Sequence, residues 1–144
     1  MKIEEIEELW KVDCEINVLD LSKATSDIPK LHSKYYSLYN RERTLLIQLR
    51  IAYKKLKFDK KEFLINPTQD RIEEGWEIPS RGKILKTEVN DYIDGDDQLL
   101  KLELKIGLQD EKVEFLKDII KTINARNFLI KNIQDDRRFM AGEY

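Results

Sequence analysis

The sequence predicts an all-α fold, a long helical hairpin with coiled-coil seams, and three observations carry that reading. Apolar residues recur at alternating steps of four and three along two long stretches. Glycine is scarce, with five in 144 residues, and 38% of the chain is charged, more than an ordinary soluble domain carries. A repeat of 3.5 residues held over many turns makes a narrow seam between helices, whereas a globular helix buries a wider stripe at 3.6. The length suits a single domain over residues 1–144.

Residues 2 to about 16 form the first element, an amphipathic helix with Ile3, Ile6, Trp10 and Cys14 at steps of three and four. A short apolar strip, Val18-Leu19-Asp20-Leu21, leads to Thr25-Ser26-Asp27. Ser26 or Asp27 suits an N-cap, and Pro29 fits the first helical turn, where its missing N–H has no partner to lose. From Ile28 to about Leu64 one long helix follows, with Leu31, Tyr35, Leu38, Leu45, Leu49, Ala52, Leu56 and Phe63 on the repeat. Glu42 and Asp59 interrupt it. At about 1.5 Å per residue this helix is roughly 55 Å long and needs a partner helix. Asn66-Pro67 ends it.

Residues 66–95 hold Pro67, Pro79, Gly75, Gly82 and Gly95 and read as a loop, with a short hairpin inside GWEIPSRGKIL. Lys86–Ile93 has room for a further helical turn or two. Trp76 is either a docking aromatic or the cover on the end of a core. Residues 96–144 make the second long helix. Leu99, Leu102, Ile106, Val113, Leu116, Ile120, Ile123 and Ile130 keep the repeat, with Gln109 and Asn127 on the seam. Such polar seam residues either fix register or are packing compromises. Phe115 and Ile119 widen the apolar face. Two helices bury little by themselves, so self-association is expected. Val113, Leu116, Ile120, Ile123, Ile130 and Phe139 are the residues expected to mediate it.

Several function classes find no support. The chain has no phosphate loop, dinucleotide fingerprint or nucleophile elbow, so no catalytic residue and no cofactor is expected. His32 is the sole histidine and Cys14 the sole cysteine. Together they are too few for a zinc site, and no disulfide can form within the chain. Residues 91–97, DYIDGDD, imitate a calcium loop. With Gly95 at its sixth position, however, Lys101 falls where the bidentate glutamate belongs; acids facing a helix N-terminus explain the run. No apolar run approaches the roughly 20 residues needed to span a bilayer. The opening MKIEEIEELW lacks a signal-peptide core, so a cytosolic protein is expected.

Charge placement says more than its sum. The formal net charge is −2. Yet residues 34–62 carry nine cations (Lys34, Arg41, Arg43, Arg50, Lys54, Lys55, Lys57, Lys60 and Lys61) against Glu42, Asp59 and Glu62. The first sixteen residues hold six acids and two lysines. A polyanion-binding stripe, or two surfaces that attract one another between subunits, would use such asymmetry. Lys54, Lys57 and Lys61 share a helical side, Arg50 lies four residues before Lys54, and Tyr53 and Phe58 flank them. Single-stranded nucleic acid needs that pairing of cations along a line with aromatic faces for bases. On spacing alone a solvated face paired with acidic neighbours stays open, as does a coiled-coil adaptor whose stripe meets an acidic protein surface. An anionic membrane fits less well, because the opposite face is a seam rather than a free apolar strip.

The C-terminal segment Ile130-Lys131-Asn132-Ile133-Gln134-Asp135-Asp136-Arg137-Arg138-Phe139-Met140-Ala141-Gly142 closely resembles the end of the UvsY-like phage recombination mediators. Ile130, Lys131, Ile133, Gln134, Asp135, Arg137, Phe139, Ala141 and Gly142 carry the match. A weaker likeness runs through the whole chain. The resemblance implies a closed ring-like homo-oligomer that binds single-stranded DNA without sequence preference. It also implies loading of the phage recombinase onto strands covered by single-strand-binding protein, in the cytoplasm of the infected bacterial host. The family's motif of basic-x-basic-apolar-Asp is similar to Lys55-Leu56-Lys57-Phe58-Asp59, which places the DNA and partner roles on Lys55 and Lys57. Lys60-Lys61 stand where the family has two aromatic residues. Apart from the resemblance, Phe139 and Met140 behind the charged Asp135-Asp136-Arg137-Arg138 suit either a frayed helix end or a tail docked on a neighbouring subunit, with Arg137 against an acid among Glu4, Glu5, Glu7 and Glu8.

Overall fold

The computed structural model describes residues 1–80, 82 and 84–142. Among these residues the ordered elements are all helical: α1 (Ile3–Asp13), α2 (Leu21–Ser26), α3 (Ile28–Ile65), α4 (Gln69–Glu73), α5 (Val89–Asp94), α6 (Asp97–Asn124) and α7 (Arg126–Met140). The chain divides into two compact units, Met1–Arg43 with Glu111–Tyr144, and Thr44–Asp110.

In the first unit α1 stops at Asp13, earlier than the sequence suggests. The helix end is held there from elsewhere in the chain. The Arg126 guanidinium donates to the Asp13 carbonyl, while the Asp13 carboxylate accepts from Lys34 at 2.6 Å and from the Tyr35 hydroxyl at 2.8 Å. Burial works to raise the Asp13 carboxyl, but those two hydrogen bonds and the charges of Lys34 and Arg126 outweigh it and hold it below the usual carboxylate range. Burial and then the Asp13 bond push the Tyr35 phenol well above its ordinary value.

Asp27 stands immediately before α3, and its carbonyl accepts from the Leu31 N–H at 3.0 Å. A separate short helix, α2, precedes it and is capped by Asp20, whose carboxylate accepts from the Lys23 N–H at 3.1 Å. The Ser26 hydroxyl bonds back to the Lys23 carbonyl, and Asp27 has helical backbone angles, so the chain passes from α2 into α3 by a tight turn. Ile6, Tyr35, Leu38, Leu116, Ile119 and Ile123 form the core of this unit. Trp10 stands edge-on to Tyr35 at 5.4 Å. Burying each such side chain contributes about 1.5–3 kcal/mol. Glu42, the seam acid, is 1% exposed and meets Lys112 at 3.5 Å and the Met1 amino group at 3.4 Å.

The expected single C-terminal helix is broken at Ala125. Its N–H lies 3.1 Å from the Lys121 carbonyl and 3.2 Å from that of Thr122, a tightened turn from which Arg126 reaches Asp13. α7 packs on α2, and Arg137 donates to the Val18 carbonyl of the same chain.

Residues 66–95, expected to be a loop, contain α4 and α5. No strand occurs among the described residues; Arg81 and Lys83 of the expected hairpin lie outside them. Ile84, Val89, Ile93 and Leu99 form the core of the second unit, with Tyr53, Leu56, Leu64, Ile65 and Tyr92 against it. The sequence EEGW makes a left-handed C-terminal turn on α4. Gly75 has φ +97°, its N–H bonds to the Ile72 carbonyl, and the Trp76 N–H bonds to that of Arg71. This two-bond glycine cap reverses the chain and delivers Trp76 against Phe63, edge-on at 5.3 Å.

Most of the residues expected to mediate self-association are covered by the chain itself. Val113, Leu116, Ile123 and Ile130 are buried within the chain's own fold, and Ile120 packs on its first core. Phe139 is exposed.

Candidate nucleic-acid interface

A helix with 3.6 residues per turn returns to the same side after three or four residues. Arg50, Lys54, Lys57 and Lys61 therefore form a row on the C-terminal half of α3. Lys54 to Lys61 covers about 10 Å of axis. Among the described residues Lys54, Lys57 and Lys61 make no ion pair, whereas Arg50 reaches Asp110 at 3.4 Å. The Lys57 ammonium lies over the Tyr53 ring, 5.9 Å from its centroid. Tyr53 itself is partly buried against the second core, so its ring sets the root of the row.

Lys55 and Lys57, the pair singled out by the motif, do not share a side. Two residues turn the helix by about 200°. Lys55 pairs with Asp59 at 2.9 Å and lies over Phe58, 5.5 Å from its centroid. Phe58 is exposed. An exposed pair of this kind contributes about 0–1 kcal/mol, so Lys55 can leave Asp59 for a phosphate at small cost. Asp59 has a second cation, Arg71, at 3.5 Å.

Lys60 belongs elsewhere. It is 8% exposed, its ammonium 4.2 Å from the centroid of Trp76 and 3.2 Å from the Asp96 carboxylate. The Arg71 guanidinium lies 4.5 Å from the same ring. Asp96 also caps α6, accepting from the Leu99 N–H at 3.0 Å. Lys60 is thus a structural cation of the second unit, and its charge is removed from the row. Neither Trp76 nor Arg71 could be assigned this partnership from spacing, because the glycine cap at Gly75 sets it.

Leu100, Leu104 and Leu108 at four-residue steps on α6 are exposed, as are Ile47 and Ile51 on α3. They lie off the 4,3 seam, and the four-residue spacing of the leucines is visible in the sequence. No group of side chains fit to hold a metal ion occurs among the described residues, and no helix is long and apolar enough to cross a membrane.

A family model described as "Recombination, repair and ssDNA binding protein UvsY" matches residues 9–143. Among solved structures, the chain is similar to the bacteriophage T4 recombination mediator protein UvsY in its type II lattice, with 22% identity and a TM-score of 0.79 over 98% of each chain. The type IV lattice of the same protein gives 19% identity and a TM-score of 0.76, covering 97% of this chain and 99% of that one. A comparison with curated proteins finds no match.

Proposed function

The chain belongs to the UvsY family of recombination, repair and single-stranded DNA-binding proteins, and from that footing we propose that it is a recombination mediator gripping single strands through α3. The grip is on phosphates and is blind to base sequence. The observation that carries it is the row Lys54, Lys57 and Lys61, three cations in line with no carboxylate partner among the described residues. Fixed cations on a rigid helix displace the counterions condensed on a strand, and the entropy of their release drives binding. Lys55 joins when phosphate competes with Asp59.

Copies of the chain assemble into a closed ring that carries several rows. The exposed line Leu100, Leu104 and Leu108 supports self-association, since apolar surface of that kind is best covered by a like surface. Each row is a weak site, and linked rows hold one strand far more tightly than any single one. Holding the strand in this way helps load a phage recombinase where single-strand-binding protein lies, in the cytoplasm of the infected bacterial host. The role is one of binding, with no bond made or broken.

Titration of labelled oligo-dT across a salt series tests the reading. Replacing Lys54 and Lys57 with alanine should flatten the slope of log K against log salt by roughly 0.7 for each lost contact, at unchanged particle mass. An unaltered slope and affinity would reject α3 as the strand-binding element. A pure protein that binds acidic polypeptide but not oligo-dT would be an adaptor instead.

A further inference from the structure

His32, Tyr36 and Tyr39 follow one another along the N-terminal half of α3 at steps of four and three, so they share a side of the helix. Their rings are in mutual contact. His32 and Tyr36 stack with centroids 5.5 Å apart and planes 14° from parallel. Tyr36 and Tyr39 continue the row at 6.0 Å and 35°. Tyr39 packs against the first core, which anchors the row, while Tyr36 is 46% exposed. Arg43, four residues beyond Tyr39, is exposed and makes no ion pair among the described residues.

The fold does not need this arrangement. The core of the first unit is closed by Tyr35 and Leu38 from the neighbouring side of α3, Tyr36 remains in water, and His32 is half-buried beside it. Tyrosine loses little conformational freedom when it binds, having two side-chain torsions, and its ring presents a flat face with a polar tip. Stacking along the row restricts those torsions further. Flat π faces with one cation at the end match an unpaired nucleobase and its phosphate. An apolar helix of a partner protein would ask for aliphatic knobs and holes instead.

We propose that His32, Tyr36 and Tyr39 form a stacking ladder for unpaired bases of a single strand. This rests on the strand-binding reading and adds what the lysines cannot provide. A phosphate row accepts any nucleic-acid backbone, paired or not. A ladder accepts only bases whose faces are free, because a duplex keeps those faces within its own stack. The ladder is therefore the element that selects single strands, and every base has a π face, so the selection is independent of sequence.

The experiment compares oligo-dT with a strand of equal length and charge in which abasic sites replace most bases. Alanine substitution of a stacking aromatic weakens binding roughly 5- to 150-fold per base. The parent protein should prefer oligo-dT by about tenfold or more. Tyr36→Ala should erase most of that preference, leaving abasic-strand affinity and the salt slope unchanged, and Tyr36→Phe should retain it. A parent that binds both strands equally, or a Tyr36→Ala protein with the parent's preference, overturns the ladder while leaving phosphate binding intact. Failure of the parent to bind either strand overturns the strand-binding reading and the ladder with it. A changed particle mass in Tyr36→Ala, with oligo-dT preference intact, assigns the rings to contact between copies and also overturns the proposal.

Discussion

Lys60 and Lys57 are three residues apart on one helix, yet the structure gives their removal opposite consequences. In Lys60→Ala the indole of Trp76 loses a cation 4.2 Å from its centroid, an interaction contributing about 2 kcal/mol when desolvated. Asp96 loses an ion pair at 3.2 Å, but it is partly open to water and keeps the Leu99 N–H, so that loss is about 1 kcal/mol or less. The vacated space beside Trp76 adds a packing cost in the same direction. Stability should fall by about 2–3 kcal/mol in all. Urea unfolding, followed by circular dichroism, should show this as a shift of the midpoint with the steepness retained. The salt dependence of oligo-dT binding should not move. In Lys57→Ala the pattern reverses, with an unchanged midpoint and a salt slope flatter by roughly 0.7. A Lys60→Ala protein of parental stability whose salt slope has flattened would refute the burial argument and make Lys60 a strand contact.

Lys55→Ala should flatten the salt slope less than Lys57→Ala, because Asp59 competes with phosphate for Lys55; equal slopes in parallel titrations would contradict that ranking. The Asp13–Tyr35 bond makes stability depend on pH at both ends. The lowered Asp13 carboxyl contributes stability present above the unfolded value near 4 and lost as pH falls below it. The raised Tyr35 phenol contributes stability present below the unfolded value near 10 and lost as pH rises above it. Tyr35→Phe should cost about 1 kcal/mol at neutral pH and flatten the alkaline limb of melting temperature against pH; a limb of parental steepness would place the titration elsewhere. Leu104→Asp with Leu108→Asp should reduce the native particle mass without changing helix content, because both residues are exposed in the single chain. Native mass measurement that still finds the parental assembly would clear this line of leucines.

Much of the helical plan was legible because it rests on local patterns. The 4,3 repeat and Asn66-Pro67 bound α3 to within a residue of where it ends, at Ile65. What failed was set by residues far along the chain. No glycine or proline marks Ala125, and the break there coincides with Arg126 reaching Asp13. Asp27 before α3 was readable as a helix start, whereas the separate α2 begun by Asp20 was not marked by any apolar repeat. The apolar character of Leu116 and Ile123 was plain, but periodicity cannot say whether a seam is filled by the same chain or by another copy. Here Tyr35, Leu38 and Ile6 fill it. Within the basic run, Lys57 and Lys60 look alike in sequence; the Trp76 ring, brought back by a positive-φ glycine, separates them. The exposed aromatic row is hidden in the sequence because Tyr35 and Leu38 beside it already satisfy the repeat.

The two compact units also differ in how the chain must close them. Thr44–Asp110 is one continuous stretch, whereas the other unit draws on both ends of the sequence. Arg126 and Asp13 are 113 residues apart, and Arg137 and Val18 are 119 apart. On a chain still being synthesised, Ile6, Tyr35 and Leu38 emerge early and remain uncovered until Leu116, Ile119 and Ile123 follow. The continuous unit can gain its contacts sooner, at a smaller loop-closure cost. Nascent chains thus carry an open apolar half beside a half able to fold, a period of exposure to aggregation that ends only when the C-terminal helices return.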